Sequence, residues 1–133
     1  LFRKVLEAEP ADGQARNSLG YALAFSGDLK QATEELERYR KLPGQEANAL
    51  DSLGEVHFLH GKFAEAEKFF LDCHKANPAF LGGASLRKAA LARWISGDAA
   101  GADKIFQQHL ESRGKARDPR RELQTAEWEF LNG

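Results

Sequence analysis

The chain has 133 residues, 42% of them hydrophobic and 29% charged, which is enough apolar surface for a packed core and too much for a disordered tail. Its 19 basic and 20 acidic side chains leave a formal charge of −1, arguing against a surface dedicated to nucleic acid, where clustered Lys and Arg supply most of the affinity. The single cysteine, Cys73, has no partner for an internal disulfide, and no apolar run approaches the roughly 20 residues that cross a bilayer.

Taken in chain order, the apolar positions recur at helical spacing. They predict eight helices, near residues 1–9, 12–26, 28–42, 45–60, 62–76, 79–96, 98–113 and 119–132. Pro10 and Pro78 stop the first and fifth of these, because proline cannot continue a helix without strain. Four strings close every other helix: Ala24-Phe25-Ser26-Gly27, Phe58-Leu59-His60-Gly61, Trp94-Ile95-Ser96-Gly97 and Phe130-Leu131-Asn132-Gly133. Their glycines lie 34, 36 and 36 residues apart. Seven residues before each glycine stands a small residue, Gly20, Gly54, Ala90 or Ala126. Five after it stands Ala32, Ala66 or Ala102, and nine after it Leu36, Phe70 or Phe106.

The chemistry of these columns describes a helical hairpin. The glycine permits the left-handed backbone that closes a helix, and Asp28 and Asp98 follow at once, where a carboxylate caps the next helix. Small residues facing each other, Gly20 against Ala32 and Gly54 against Ala66, are expected to let the two axes approach. One irregular stretch, Ser112–Pro119, is rich in Gly, Arg and Lys and reads as a solvated loop.

A period near 34, Leu-Gly at 19–20 and 53–54, the turn glycines, Ala66, Phe70 and Pro78 together resemble the tetratricopeptide repeat (TPR) signature. The resemblance covers nearly the whole chain. It implies an all-α fold, a right-handed superhelix (solenoid) of antiparallel helix pairs, with about three repeats and a half-repeat at each end. Residues 1–10 match the closing helix of a preceding repeat, through Phe2, Val5 and Pro10. Repeats follow at 13–46, 47–80 and 83–116, and 119–133 match the opening helix of another. The repeat at 83–116 is degenerate, with Ala89-Ala90 in place of Leu-Gly and Arg93 where an aromatic is usual. With no methionine and a helical pattern already running at Leu1, the chain reads as a fragment of a longer array.

In such a stack the first helix of each pair lines the concave side, an extended surface suited to binding. The residues pointing there recur 13, 10, 6 and 3 places before each turn glycine. This selects Gln14, Asn17, Tyr21 and Ala24, then Asn48, Asp51, Glu55 and Phe58, then Ala84, Arg87, Leu91 and Trp94, with Lys88 beside them. The expected groove has an acidic centre at Asp51 and Glu55, a basic section at Arg87 and Lys88, and apolar patches. Asn17 and Asn48 offer amides to a peptide backbone. Phe58 and Trp94 read equally as aromatic filler between neighbouring first helices, and Arg87 and Lys88 equally as a solvated face.

The family resemblance implies a protein- or peptide-binding scaffold inside a larger protein; such arrays accompany kinase, cyclase or transcription-factor domains in bacterial regulators. The alternatives are a structural spacer or self-assembly segment and, with less support from the mixed charge, an RNA-binding helical repeat. Some family members clamp the acidic C-terminal tail of chaperones with Lys, Arg and Asn on three successive first helices. Those positions fall here on Asn17, Tyr21, Ser52, Ala84 and Lys88, or one repeat later on Asp51, Glu55, Lys88, Arg120 and Gln124. Neither register rebuilds the clamp, and Asp51 and Glu55 would repel a carboxylate.

Catalysis finds no footing in these residues. There is no Ser/His/Asp pattern, phosphate loop or Cys-x-x-Cys, and Gly82-Gly83 reads as a loop before the sixth helix. His57, His60, Cys73 and His74 are the residues that could approach a zinc ion, which needs several converging ligands, yet His57 and Cys73 occupy packing columns. The expectation is therefore no enzyme, no metal, no cofactor, no nucleic acid and no membrane. A cytoplasmic location and weak self-association through the cut ends, at Phe2, Trp128 and Phe130, complete the reading.

Overall fold

The computed structural model describes residues 1–9, 12–114 and 128 of the chain. Seven α-helices and one short 3-10 segment make up the regular structure, and no strand occurs among the described residues. The helices are α1 (Phe2–Ala8), α2 (Gly13–Phe25), α3 (Leu29–Arg40), α4 (Glu46–Leu59), α5 (Phe63–Ala76), α6 (Ala84–Ile95) and α7 (Ala99–Gly114), with the 3-10 segment at Phe80–Gly83. The chain is an all-α stack of antiparallel hairpins, α2/α3, α4/α5 and α6/α7. The predicted helix at 119–132 lies outside the described residues except for Trp128, whose backbone is helical. Pro10 and the expected loop at Ser112–Pro119 also fall there, the latter beyond its first three residues.

Each hairpin turns on the same hydrogen-bond pair. At the first turn the Gly27 amide donates to the Ala24 carbonyl (3.0 Å) and the Asp28 amide to that of Leu23 (2.9 Å). Gly61 and Lys62 repeat the pattern on Phe58 and His57, and Gly97 and Asp98 repeat it on Trp94 and Arg93. This double bond needs a left-handed residue at its centre, and the three glycines take φ of 94°, 73° and 103°. The expected carboxylate caps form: Asp28 Oδ1 accepts from the Gln31 amide at 2.9 Å and Asp98 Oδ1 from that of Gly101 at 2.8 Å. Asp12 caps α2 in the same way, through the Ala15 amide.

The small-residue columns bring the hairpin helices together, though the facing residue differs from the expectation. A methyl at Gly20 would sit 2.6 Å from Leu36, and one at Gly54 would sit closer still to the Phe70 ring. The small residue of the first helix thus receives the large residue nine places after the turn glycine, as a hole receives a knob. Ala32 and Ala66 are fully buried beside that contact. Core clusters follow one another along the stack. Leu36, Leu50, Leu53 and Val56 centre the first; Ala66, Phe70, Ala89 and Ala92 the next; Ala90, Phe106, Leu110 and Trp128 the last.

One boundary is corrected. The sixth helix begins at Ala84 and not near residue 79, because Leu81, Gly82 and Gly83 all take positive φ (48°, 67° and 83°). Seven residues, 77–83, separate α5 from α6, against five, 41–45, between α3 and α4. The two additional residues account for the 36-residue spacing of Gly61 and Gly97 against 34 for Gly27 and Gly61. The turn is held from the next hairpin: His109, fully buried, donates from Nδ1 to the Gly83 carbonyl at 3.0 Å.

Candidate functional site

Helices α2, α4 and α6 stand side by side, joined by Tyr21, Asp51 and Glu55 from the recurring columns and by Lys88, the neighbour of the column residue Arg87. Tyr21 on α2 donates its hydroxyl to Glu55 Oε2 on α4, in a short hydrogen bond between positions 34 apart. Lys88 on α6 reaches back to α4, with Nζ 2.8 and 3.0 Å from the two Asp51 oxygens and 2.7 Å from Glu55 Oε1. One polar network, Tyr21–Glu55–Lys88–Asp51, therefore crosses three successive repeats. The acidic centre and the lysine of the expected basic section form one ion-paired cluster.

Burial governs the titration of this network. It pushes the Tyr21 hydroxyl well above its ordinary range, and the bond to Glu55 adds to the rise. It also raises the Asp51 carboxyl, against the opposing pull of the Lys88 ammonium. Burial alone would depress Lys88, but its two carboxylates outweigh that and hold it above its ordinary value. Asp51 is buried, whereas the Glu55 side chain remains 38% exposed and can still meet a partner.

Beside the network, between α4 and α6, lies an open cleft of about 260 Å³ lined by Glu55, Phe58, Leu59, Phe70, Lys88 and Leu91. Its walls are mostly carbon. Phe70, buried from α5, carries the Lys88 ammonium 5.6 Å from its ring centroid. Phe58 is fixed edge-on to Phe63, with centroids 5.1 Å apart. Apolar walls under a few converging polar groups are the usual make-up of a ligand site.

Of the residues selected from sequence, Glu55, Phe58, Lys88 and Leu91 meet at this cleft, and Tyr21 and Asp51 stand behind it in the network. The others go elsewhere. Asn48 donates its amide to the Tyr39 hydroxyl at 2.7 Å, toward α3. Asn17 keeps its side-chain oxygen buried, with no hydrogen-bond partner among the described residues. Arg87 is exposed, and Trp94 packs on the cluster of Phe106, Leu110 and Trp128 in the last hairpin. Leu59 and Phe70 were not selected. For Leu59 the signal was available: the residue two before each turn glycine is Phe25, Leu59 or Ile95, always large and apolar. These are 75%, 58% and 41% exposed, so burial by their own hairpin does not account for the pattern.

Three of the four residues weighed for zinc are engaged in hydrogen bonds to backbone carbonyls, and the fourth, His74, keeps Nδ1 buried with no partner among the described residues. His57 and His60 donate to the carbonyls of Leu53 and Ala24, both at 2.8 Å, and Cys73 donates to that of Ala47 at 3.2 Å. No three His, Cys, Asp or Glu side chains converge as a metal site among the described residues, and no helix there is long and apolar enough to cross a membrane.

No family model matches the chain. Over 69 residues, 51% of its length, it is 35% identical to a TPR repeat-containing protein of Pseudomonas aeruginosa. The matched stretch covers 12% of that relative.

Proposed function

We propose that this tetratricopeptide-like chain is a scaffold module that binds a protein or peptide along the face formed by α2, α4 and α6. The observation that carries the reading is the cleft at Glu55, Phe58, Leu59 and Leu91, an apolar hollow on the face where the repeat columns converge. The similarity to a repeat protein supports an interaction role in preference to catalysis. So does the network, since Lys88 is ion-paired to Asp51 and Glu55 and is held in the charged form, unlike a catalytic base.

The same ion pairing favours a second reading, a spacer whose ion network only fixes one repeat on the next. Selection from a phage-displayed peptide library separates the two. Peptides enriched on the wild-type chain should bind Leu91→Gln at least tenfold more weakly, and should bind Lys68→Glu, altered on the exposed side of α5, with unchanged affinity. A library that yields no saturable binder, or binders indifferent to Leu91→Gln, would favour the spacer.

A further inference from the structure

The hydrogen-bond inventory around the cleft fixes the sign of charge that its occupant should carry. Lys88 Nζ lies 2.8 and 3.0 Å from the two Asp51 oxygens and 2.7 Å from Glu55 Oε1, so its charge is already paired with two carboxylates and an incoming carboxylate would be repelled by both. Glu55 differs: its oxygens take one bond each, from Lys88 and Tyr21, and a carboxylate has about four acceptor positions. With its side chain 38% exposed on the cleft wall, Glu55 can accept a further donor. Two carboxylates against one ammonium leave the local cluster with a charge of −1. Arg87, the cation an acidic ligand would need, is exposed but does not line the cleft.

Resting on the peptide-binding reading above, the geometry points to a partner segment that inserts one large apolar side chain flanked by a cationic residue. The apolar group fills the hollow over Phe70 between Leu59 and Leu91, and the flanking Lys or Arg donates to the free lone pairs of Glu55. Charge-assisted bonds of this kind are stronger than neutral ones, and complementarity at a rim also speeds encounter. The basic section expected at Arg87 and Lys88 thus offers the cleft no free cation, since Lys88 is turned onto Asp51 and Glu55 and Arg87 does not line it.

Three capped peptides test it: acetyl-Lys-Trp-Lys-amide, acetyl-Gln-Trp-Gln-amide and acetyl-Glu-Trp-Glu-amide, titrated into the chain and followed by ligand-observed NMR at low salt. The expected order of affinity is Lys above Gln above Glu, with about tenfold between the extremes. Glu55→Gln keeps an oxygen to accept from Lys88 and turns its NH2 to donate to the Tyr21 hydroxyl oxygen, while removing the charge, and should bring the Lys peptide down to the Gln peptide's affinity. Equal binding of all three peptides would overturn the charge inference and leave the peptide-binding reading intact. Preference for the Glu peptide, lost in Arg87→Gln, would overturn it in favour of the exposed arginine. Saturable binding by none of them, with wild type still helical by circular dichroism, would remove both the inference and the reading it rests on.

Discussion

Lys88 shows how much one side chain settles on this face. Its ammonium neutralises Asp51, only 5% exposed, and reaches Glu55 in the same geometry. Lys88→Met would leave the buried carboxylate unpaired beside a second one. Removing one partner from such a pair is costly, and with the lysine 23% exposed the expected loss is about 2–4 kcal/mol by urea denaturation. Asp51→Asn with Lys88→Met should recover most of it, as expected for coupled sites. The pH dependence follows from the two raised donors. Lys88 and Tyr21 both hold their protons more tightly folded than at their ordinary values of 10.5 and 10.0. Their contribution is thus present below pH 10 and lost as pH rises through the folded values. The urea midpoint should fall above pH 10, and Tyr21→Phe with Lys88→Met should flatten that slope. The sequence columns selected Tyr21, Asp51 and Glu55, with Lys88 only as the neighbour of the column residue Arg87, because helical spacing determines which way a position points. They did not reveal the pairing, because the partner chosen across two helices depends on their offset and on rotamers, which spacing leaves open.

At the level of the helix pair, the close approach rests on glycine meeting a large side chain. Gly54→Ala would drive a methyl into the Phe70 ring, and overpacking of that kind costs about 1–3 kcal/mol. Ser26→Ala, on an exposed turn residue, should stay within about 0.5 kcal/mol. Equal melting temperatures for the two variants would contradict this packing. Phe70 also floors the cleft, so Gly54→Ala should weaken any cleft ligand as well as the fold. The hairpins were legible in sequence because their determinants are local: a turn glycine, a following aspartate and apolar residues at fixed offsets. The start of α6 was legible only in part: Gly82-Gly83 reads as a loop, yet the expected helix begins near residue 79. The bond from a buried histidine 26 residues further on to the Gly83 carbonyl is a tertiary contact that residues 79–83 do not announce. Gly20 and Gly54 were recognised as small, but which residue fills the space beside them depends on the axial shift of the two helices.

Across the whole molecule the core clusters run hairpin to hairpin, so the stack continues wherever an apolar face finds a neighbour. Trp128 illustrates this: it stacks on Phe106 with centroids 4.6 Å apart, is 6% exposed, and donates from Nε1 to Asp103 at 3.2 Å. This seat removes one of the apolar groups on which end-to-end self-association was expected to depend. Phe106→Ala should cost about 3–5 kcal/mol and raise iodide quenching of Trp128 in a Trp94→Phe background; unchanged quenching would contradict the stacked arrangement. The first-helix face is the other surface that repeats along the molecule, and the account stands on its being the binding surface. Methyl-labelled leucine NMR tests that most directly, with a peptide selected on the wild-type chain as the titrant. Leu59 and Leu91, on the cleft, should shift in proportion to occupancy, while Leu71, which lines a hollow with Glu67 and Arg93 away from the cleft, should not move. Shifts centred on Leu71, with Leu59 and Leu91 unmoved at saturation, would place the partner elsewhere and contradict the account.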